Sequence, residues 1–221
     1  LRAVLEAPQN YRVRGTVRSL SKSSALIHDN LPSPDMQKRV ELVEVPDTAS
    51  SDLSKALDGV DYVLHIASPY VIANITDPKK QLLQPAVEGT LNVLKHAADS
   101  KTVKRIGITS SFAAVNDFPK GGANRPGHTY TAKDWMPFEE SDALEQGGAI
   151  AYSVSKKLAE KAAWDFVEQQ NKAGKKLNWD ICTYNPPMIY GPSTPWQTKK
   201  TLNTSSAAIY NVSSTVSPFS T

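Results

Sequence analysis

A parallel, doubly wound α/β sheet is the fold this sequence predicts, on three observations. Short apolar runs bounded by charges read as buried strands, Tyr62-Val63-Leu64-His65-Ile66-Ala67 and Val103-Lys104-Arg105-Ile106-Gly107-Ile108-Thr109 among them. Segments with apolar residues at helical spacing lie between such runs, so strand and helix alternate and the strands run parallel through right-handed crossovers. Third, the small hydroxyl residues Ser110 and Ser111 stand at the carboxyl end of a strand, where open α/β sheets bind their ligands.

Each element follows from its local pattern. Leu1 to Ala7 reads as the last turns of a helix, and Tyr11 to Val17 alternates as a strand. A polar helix or loop runs to Pro34, followed by a strand at Val40 to Val45 and a short helix around Leu53 to Leu57. Leu82, Leu83, Ala86, Val87, Leu91, Leu94 and Ala98 place a long helix over Lys80 to Ala98 with one face on the sheet. From Asn116 to Gly148 the chain is rich in Gly, Pro, Asn and Asp. So long a connection inside a compact domain is a functional loop or an ordered excursion, and it should border the pocket. A helix at Ala149 to Gln170 turns Leu158, Ala162, Ala163 and Phe166 inward, and a strand follows at Leu177 to Tyr184. Asn185-Pro186-Pro187 ends that strand, because proline cannot extend a ladder.

At 221 residues, 40% hydrophobic and 21% charged, the chain suits one domain with a substantial core, spanning 1–221. Its 25 basic and 22 acidic residues are scattered, not gathered in a stripe, so no nucleic-acid partner is expected. No apolar stretch approaches the roughly 20 residues needed to cross a bilayer, and the amino end lacks a secretion pattern. Cys182 is the single cysteine and is expected as a small buried hydrophobe, which fits a reducing, cytoplasmic setting. Asn-X-Ser/Thr triplets at Asn74, Asn203 and Asn211 are short enough to be chance.

Tyr152-Ser153-Val154-Ser155-Lys156 carries the chemistry. On a helix, Tyr152 and Lys156 are four apart and share one face, so an ammonium can sit beside a phenol. A fixed cation favours the phenolate and should bring the phenol from about 10 toward neutral pH. Such a pair also occurs on ordinary amphipathic helices; the preceding Thr109-Ser110-Ser111 cluster tips the reading toward proton transfer to a carbonyl oxygen. His65, ending a buried strand, is expected as a core residue without a catalytic role. Arg18, at the end of the Tyr11 to Val17 strand, and Lys22 place cations where a dinucleotide bearing a ribose phosphate would lie, which favours NADP over NAD; two solvated surface charges are the alternative.

Six ordered blocks then resemble the extended short-chain dehydrogenase/reductase family, in its dihydroflavonol reductase and fungal methylglyoxal and ketone reductase branch. They are Thr16-Val17-Arg18-Ser19, Leu57 to Pro69, Pro85 to Leu94, Thr109-Ser110-Ser111, Tyr152 to Lys156, and Asn185 to Pro192. The resemblance implies a Rossmann-type NADP-binding domain that reduces a ketone or aldehyde, a small-molecule carbonyl substrate. It implies Ser111 as the hydroxyl that binds the substrate oxygen, Tyr152 as general acid, and Lys156 as its electrostatic aid and ribose anchor. It further implies that Asp47 sits near the adenine, that Ala67, Ser68, Pro186 and Ile189 line the cofactor path, and that Asn116 and Met188 face the substrate pocket. Phe112, Phe118 and Tyr190 are candidate apolar walls.

Two departures from that family pattern carry expectations. Its first strand and glycine-rich loop are missing ahead of Leu1, and its substrate domain would begin near Ser217 to Thr221, so the chain reads as an incomplete domain. In the strand order 3-2-1-4-5-6 the first strand is central, so without it the sheet must close up, admit water or split, and cofactor binding and turnover by this chain alone should be poor. Two other functions compete: a nucleotide-sugar epimerase or dehydratase, which shares the Ser-Tyr-Lys set, and a non-catalytic dinucleotide-fold module. Monomer and homodimer both remain open.

Overall fold

The structure, a computed structural model, describes residues 1–23, 31, 33–70, 74–191, 198–199 and 202–215. Pro192 and Ser217 to Thr221, quoted above, lie outside the described residues. The chain forms two compact units, Leu1–Asn185 and Pro186–Thr221. The first contains α1 (Arg2–Leu5), β1 (Val13–Val17), α2 (Pro34–Lys38), β2 (Val40–Glu44), α3 (Ser54–Leu57), β3 (Tyr62–His65), α4 (Gln84–Ala98), β4 (Arg105–Thr109), α5 (Glu140–Gln146), α6 (Gly148–Lys172) and β5 (Asp180–Tyr184). The second holds α7 (Thr204–Thr215).

Among the described residues all strand pairs are parallel, as the alternation of strand and helix requires. They form two sheets instead of one. In the first, β1 lies on β2 with Gly15 opposite Leu42. In the second, the order is β3-β4-β5 with Leu64, Gly107 and Cys182 in register. Of the three outcomes left open, the sheet takes the split: β1 and β3 share no ladder. Side chains join the halves. Arg14 of β1 holds Glu41 at 2.9 Å and donates to the carbonyls of Lys55 and Asp58 ahead of β3, and the Tyr11 and Tyr62 rings meet edge to face at 6.5 Å.

One apolar core spans both sheets. Val43 and Val45 pack with Leu53 and Leu57, with Val93, Leu94 and Ala97 of α4, with Ile106 and Ile108 of β4, and with Ala163 of α6. Trp179 closes it and donates Nε1–H to the Ala97 carbonyl at 2.8 Å. Ile106 and Ile108 face these helices, whereas Gly107 faces the other way, and a Cβ there would stand 3.2 Å from Leu64 and 3.3 Å from Tyr184. That second face is bare: Leu64 and Tyr184 are each 58% exposed, and Tyr62 is exposed too. Parallel sheets ordinarily bury both faces; the described residues of this chain cover one of them, within the parallel α/β architecture expected. Cys182 lies on the same bare side and is half-buried, not fully buried.

Helix starts follow their sequence signals. Pro34 opens α2 behind Ser33, whose hydroxyl accepts from the Met36 amide at 3.2 Å. Pro85 offers no N–H to the turn before it, and α4 is preceded by a π-helical turn, Lys79–Leu83. The 116–148 stretch is an ordered excursion containing two 3₁₀ turns and α5, a helix the composition hid. Its capping box uses Glu139 and Asp142 in place of the common Ser or Thr. Gly147, at φ 58°, supplies the left-handed residue between α5 and α6. Leu82, Leu83, Met136, Ala143, Ala151 and Val154 form a second core that fixes this excursion to α6. Among the described residues no helix is long and apolar enough to cross a membrane.

Candidate active site

The buried face of α6 is unusual in carrying charge: Lys156, Lys157 and Glu160 lie beside Ala151, Val154, Ala159 and Ala163. Charged groups are seldom buried unless they are paired. Lys157 meets Glu139 at 2.6 Å and the Phe138 carbonyl at 2.8 Å, tying α6 to the excursion. Lys156 and Glu160 point instead to the carboxyl ends of β3, β4 and β5.

Ser111 follows β4 and caps the 3₁₀ turn Phe112–Ala114, its hydroxyl accepting from the Ala113 amide at 3.2 Å. Its carbonyl accepts from Asn185 Nδ2 at 3.2 Å. Tyr152, near the start of α6, brings its phenol to the Ser111 hydroxyl and stacks edge to face on Tyr70 at 5.0 Å. Lys156 Nζ lies 5.9 Å from the centre of the Tyr152 ring and donates to the Thr109 carbonyl at 3.4 Å. Ser111, remote in sequence, is thus brought together with Tyr152 and Lys156 of α6.

Their ionisation corrects one expectation. Burial raises the Tyr152 phenol above its ordinary value; the Ser111 hydroxyl pulls it down by less, and Tyr70 adds to the rise. Lys156 sits over the ring and is directed at a backbone carbonyl, so it does not turn the phenol acidic in this arrangement. It is itself affected: burial lowers Lys156 to about 8, with Glu160 working the other way. His65 is buried, shares a hydrogen bond with the Thr90 hydroxyl at 3.3 Å, and is lowered to about 4 by burial and by the Lys156 charge. It is therefore neutral near pH 7, a core residue as expected.

A small cavity of about 10 Å³, room for about one water, has His65, Ala67, Ser68, Thr90, Lys156 and Glu160 among its lining residues. Two of the residues expected along a cofactor, Ala67 and Ser68, thus stand beside Lys156. Arg18 and Asp47 occupy the ends of β1 and β2, and the Arg18 charge helps lower the Asp47 carboxyl, after hydrogen bonds from Ser50 and Ala49. Both are exposed, as is Lys22. A cation beside a carboxylate at the strand ends, with small residues next to Lys156, fits the ribose and phosphate groups of a dinucleotide.

Asn116 is buried against Gly122 with its Oδ1 unpaired. Pro186, Met188 and Ile189 belong to the second unit, where Met188 and Ile189 are exposed. Glu160 was missed by sequence reasoning. Its signal was its position four residues beyond Lys156 on the same inward stripe.

A family model described as "Male sterility protein" matches residues 48–219. A putative uncharacterized oxidoreductase of Schizosaccharomyces pombe is 45% identical over 205 residues, covering 91% of this chain and 58% of the relative. The NADPH-dependent methylglyoxal reductase GRE2 of Saccharomyces cerevisiae is 35% identical over 207 residues, covering 89% and 57%. The crystal structure of Gre2 from Candida albicans in complex with NADPH superposes with a TM-score of 0.80 at 33% identity, covering 96% of this chain and 61% of that one. The chain therefore spans about three fifths of these relatives' length. The parallel α/β fold agrees with these matches: the chain belongs to the Male sterility protein family, within the extended short-chain dehydrogenase/reductases.

Proposed function

We propose that the protein carrying this chain is an NADPH-dependent reductase of ketones or aldehydes. The observation that carries the reading is the meeting of the Ser111 hydroxyl, the Tyr152 phenol and the Lys156 ammonium at the strand ends. NADPH, when bound, supplies the hydride; Arg18, Asp47, Ala67, Ser68 and Lys156 are the described residues that would hold it, with Arg18 toward the ribose phosphate. Asn116, buried in the same unit, is proposed for the substrate pocket. Ser111 donates a hydrogen bond to the carbonyl oxygen and fixes its direction. Tyr152, a phenol protonated at neutral pH and held more firmly so by burial, gives its proton to that oxygen as negative charge develops there. Lys156, with a pKa brought to about 8, is poised to exchange protons near neutrality and replenish the phenol. The names of relatives support the same reading, since two are called NADPH-dependent methylglyoxal reductases, one of them putatively, and one cinnamoyl-CoA reductase.

The test is NADPH consumption with a panel of aldehydes and ketones, methylglyoxal first, by the protein and its Tyr152→Phe variant. General acid catalysis is typically worth about 10² to 10⁴-fold, so the variant should lose that much in kcat while binding NADPH nearly as well. A rate within a few-fold of the parent would show that Tyr152 is not the proton donor.

A further inference from the structure

We propose that Glu160 is a positioning residue, which fastens the strand ends bearing Ser110 and Ser111 to the helix bearing Tyr152 and Lys156. Its catalytic consequence rests on the reductase reading; its geometry does not. Glu160 is 6% exposed and uses both carboxylate oxygens. Oε2 accepts from the Ser110 hydroxyl at 2.5 Å and from Asn185 Nδ2 at 2.7 Å, and Oε1 accepts from the Thr183 hydroxyl at 2.9 Å. The same Asn185 amide group donates to the Ser111 carbonyl at 3.2 Å, so one carboxylate reaches both serines, one directly and one through Asn185. Ladder bonds between β4 and β5 fix the strands to each other but do not fix them to α6; Glu160 supplies that link. One turn along the same helix, Lys156 donates to the carbonyl of Thr109, the residue just before Ser110.

A buried carboxylate is costly unless its oxygens are hydrogen-bonded and its charge opposed, and an apolar residue could fill this place in the core. Here three donors meet the first need and Lys156 the second. The charged and titratable groups around the Lys156 ammonium are Glu160 and Tyr152 on its own helix and His65 at the end of β3. Of these Glu160 is the carboxylate, and its charge favours the ammonium against the larger effect of burial.

Two variants and two readouts test this. In Glu160→Gln the amide oxygen can keep Ser110 and Asn185, and its NH₂ can donate to Thr183, whose hydroxyl also accepts, so the shape survives while the charge is lost. Glu160→Ala removes both. Lysine ¹³Cε NMR titration follows Lys156, whose signal is identified by its loss in Lys156→Arg. Folded Glu160→Gln should show the Lys156 midpoint lowered by about one unit or more, with the pH profile of kcat moved in the same direction. Glu160→Ala should lose at least about 10-fold in kcat with a smaller change in the KM for NADPH, and Glu160→Gln should recover part of that loss below the lowered midpoint. An unmoved midpoint in folded Glu160→Gln would overturn the proposal, as would a Glu160→Ala protein with kcat within two-fold of the parent. Lower melting temperatures without a change in midpoint would likewise reduce Glu160 to a structural role. If the parent reduces no carbonyl, the reductase reading fails, and the titration still decides the role of Glu160.

Discussion

Replacing Lys156 by methionine isolates what it costs to hold an ammonium beside the Tyr152 ring. Lys156 is 6% exposed and titrates at about 8 instead of 10.5. Below about pH 8 both folded and unfolded chains carry its proton. Between about 8 and 10.5 the unfolded chain binds a proton that the folded chain does not, so folding stability rises with pH through that window. The span of about 2.5 units, at about 1.4 kcal/mol each, sets an upper limit of about 3 kcal/mol that the native state forgoes at pH 7. Methionine keeps most of the aliphatic volume and removes the charge. The attraction to Glu160 is already contained in that lowered value, so a net stabilisation of up to about 3 kcal/mol is expected at pH 7, shrinking toward zero near pH 10. Tyr152 acts in the opposite sense only near and above its ordinary value of about 10, which confines the clean comparison to lower pH. Urea unfolding of both proteins from pH 6.5 to 10 measures this directly. Parallel pH dependences, with no convergence above pH 8, would refute the claim that Lys156 is buried as a destabilised cation.

His65 should produce an acid-side effect of the same origin: with its pKa lowered from 6.5 to about 4, stability should fall as pH drops through that interval, and His65→Gln should flatten this slope by up to about 3 kcal/mol. Equal slopes in the two proteins would argue that His65 is solvated. Trp179→Phe removes a buried donor from the Ala97 carbonyl, but that carbonyl also accepts from the Ser100 amide at 3.1 Å, so the loss should be about 1 to 2 kcal/mol by denaturant titration. An unchanged midpoint would mean that the indole hydrogen bond contributes nothing net. Arg18→Ala should weaken NADPH binding by calorimetry much more than NADH binding, since only the former brings a phosphate to that cation. Equal losses for both cofactors would show that Arg18 acts through folding.

Much of the candidate site was legible because it is written in short-range pattern. Tyr152 and Lys156 share a face whenever their segment is helical, and Ser110 and Ser111 end whichever strand contains Ile106 and Ile108. The α5 helix was obscured because seven residues with an acidic capping box resemble a polar loop in composition. Glu160 was passed over because a glutamate on a long helix is ordinarily solvated, and its partners Ser110, Thr183 and Asn185 lie more than twenty residues away.

The sequence by itself determined the parallel α/β class, the alternation of elements and the helix that carries Tyr152 and Lys156, since each is decided by periodicity over a few residues. Tertiary structure alone decided that the sheet splits between β1 and β3, that one face of β3-β4-β5 stays bare, and that the Tyr152 phenol is raised where the sequence led one to expect it lowered. Ladder pairing and burial are set by distances between segments remote along the chain, and a pKa is set by the balance of desolvation against nearby charge. Neither quantity exists until the chain has folded.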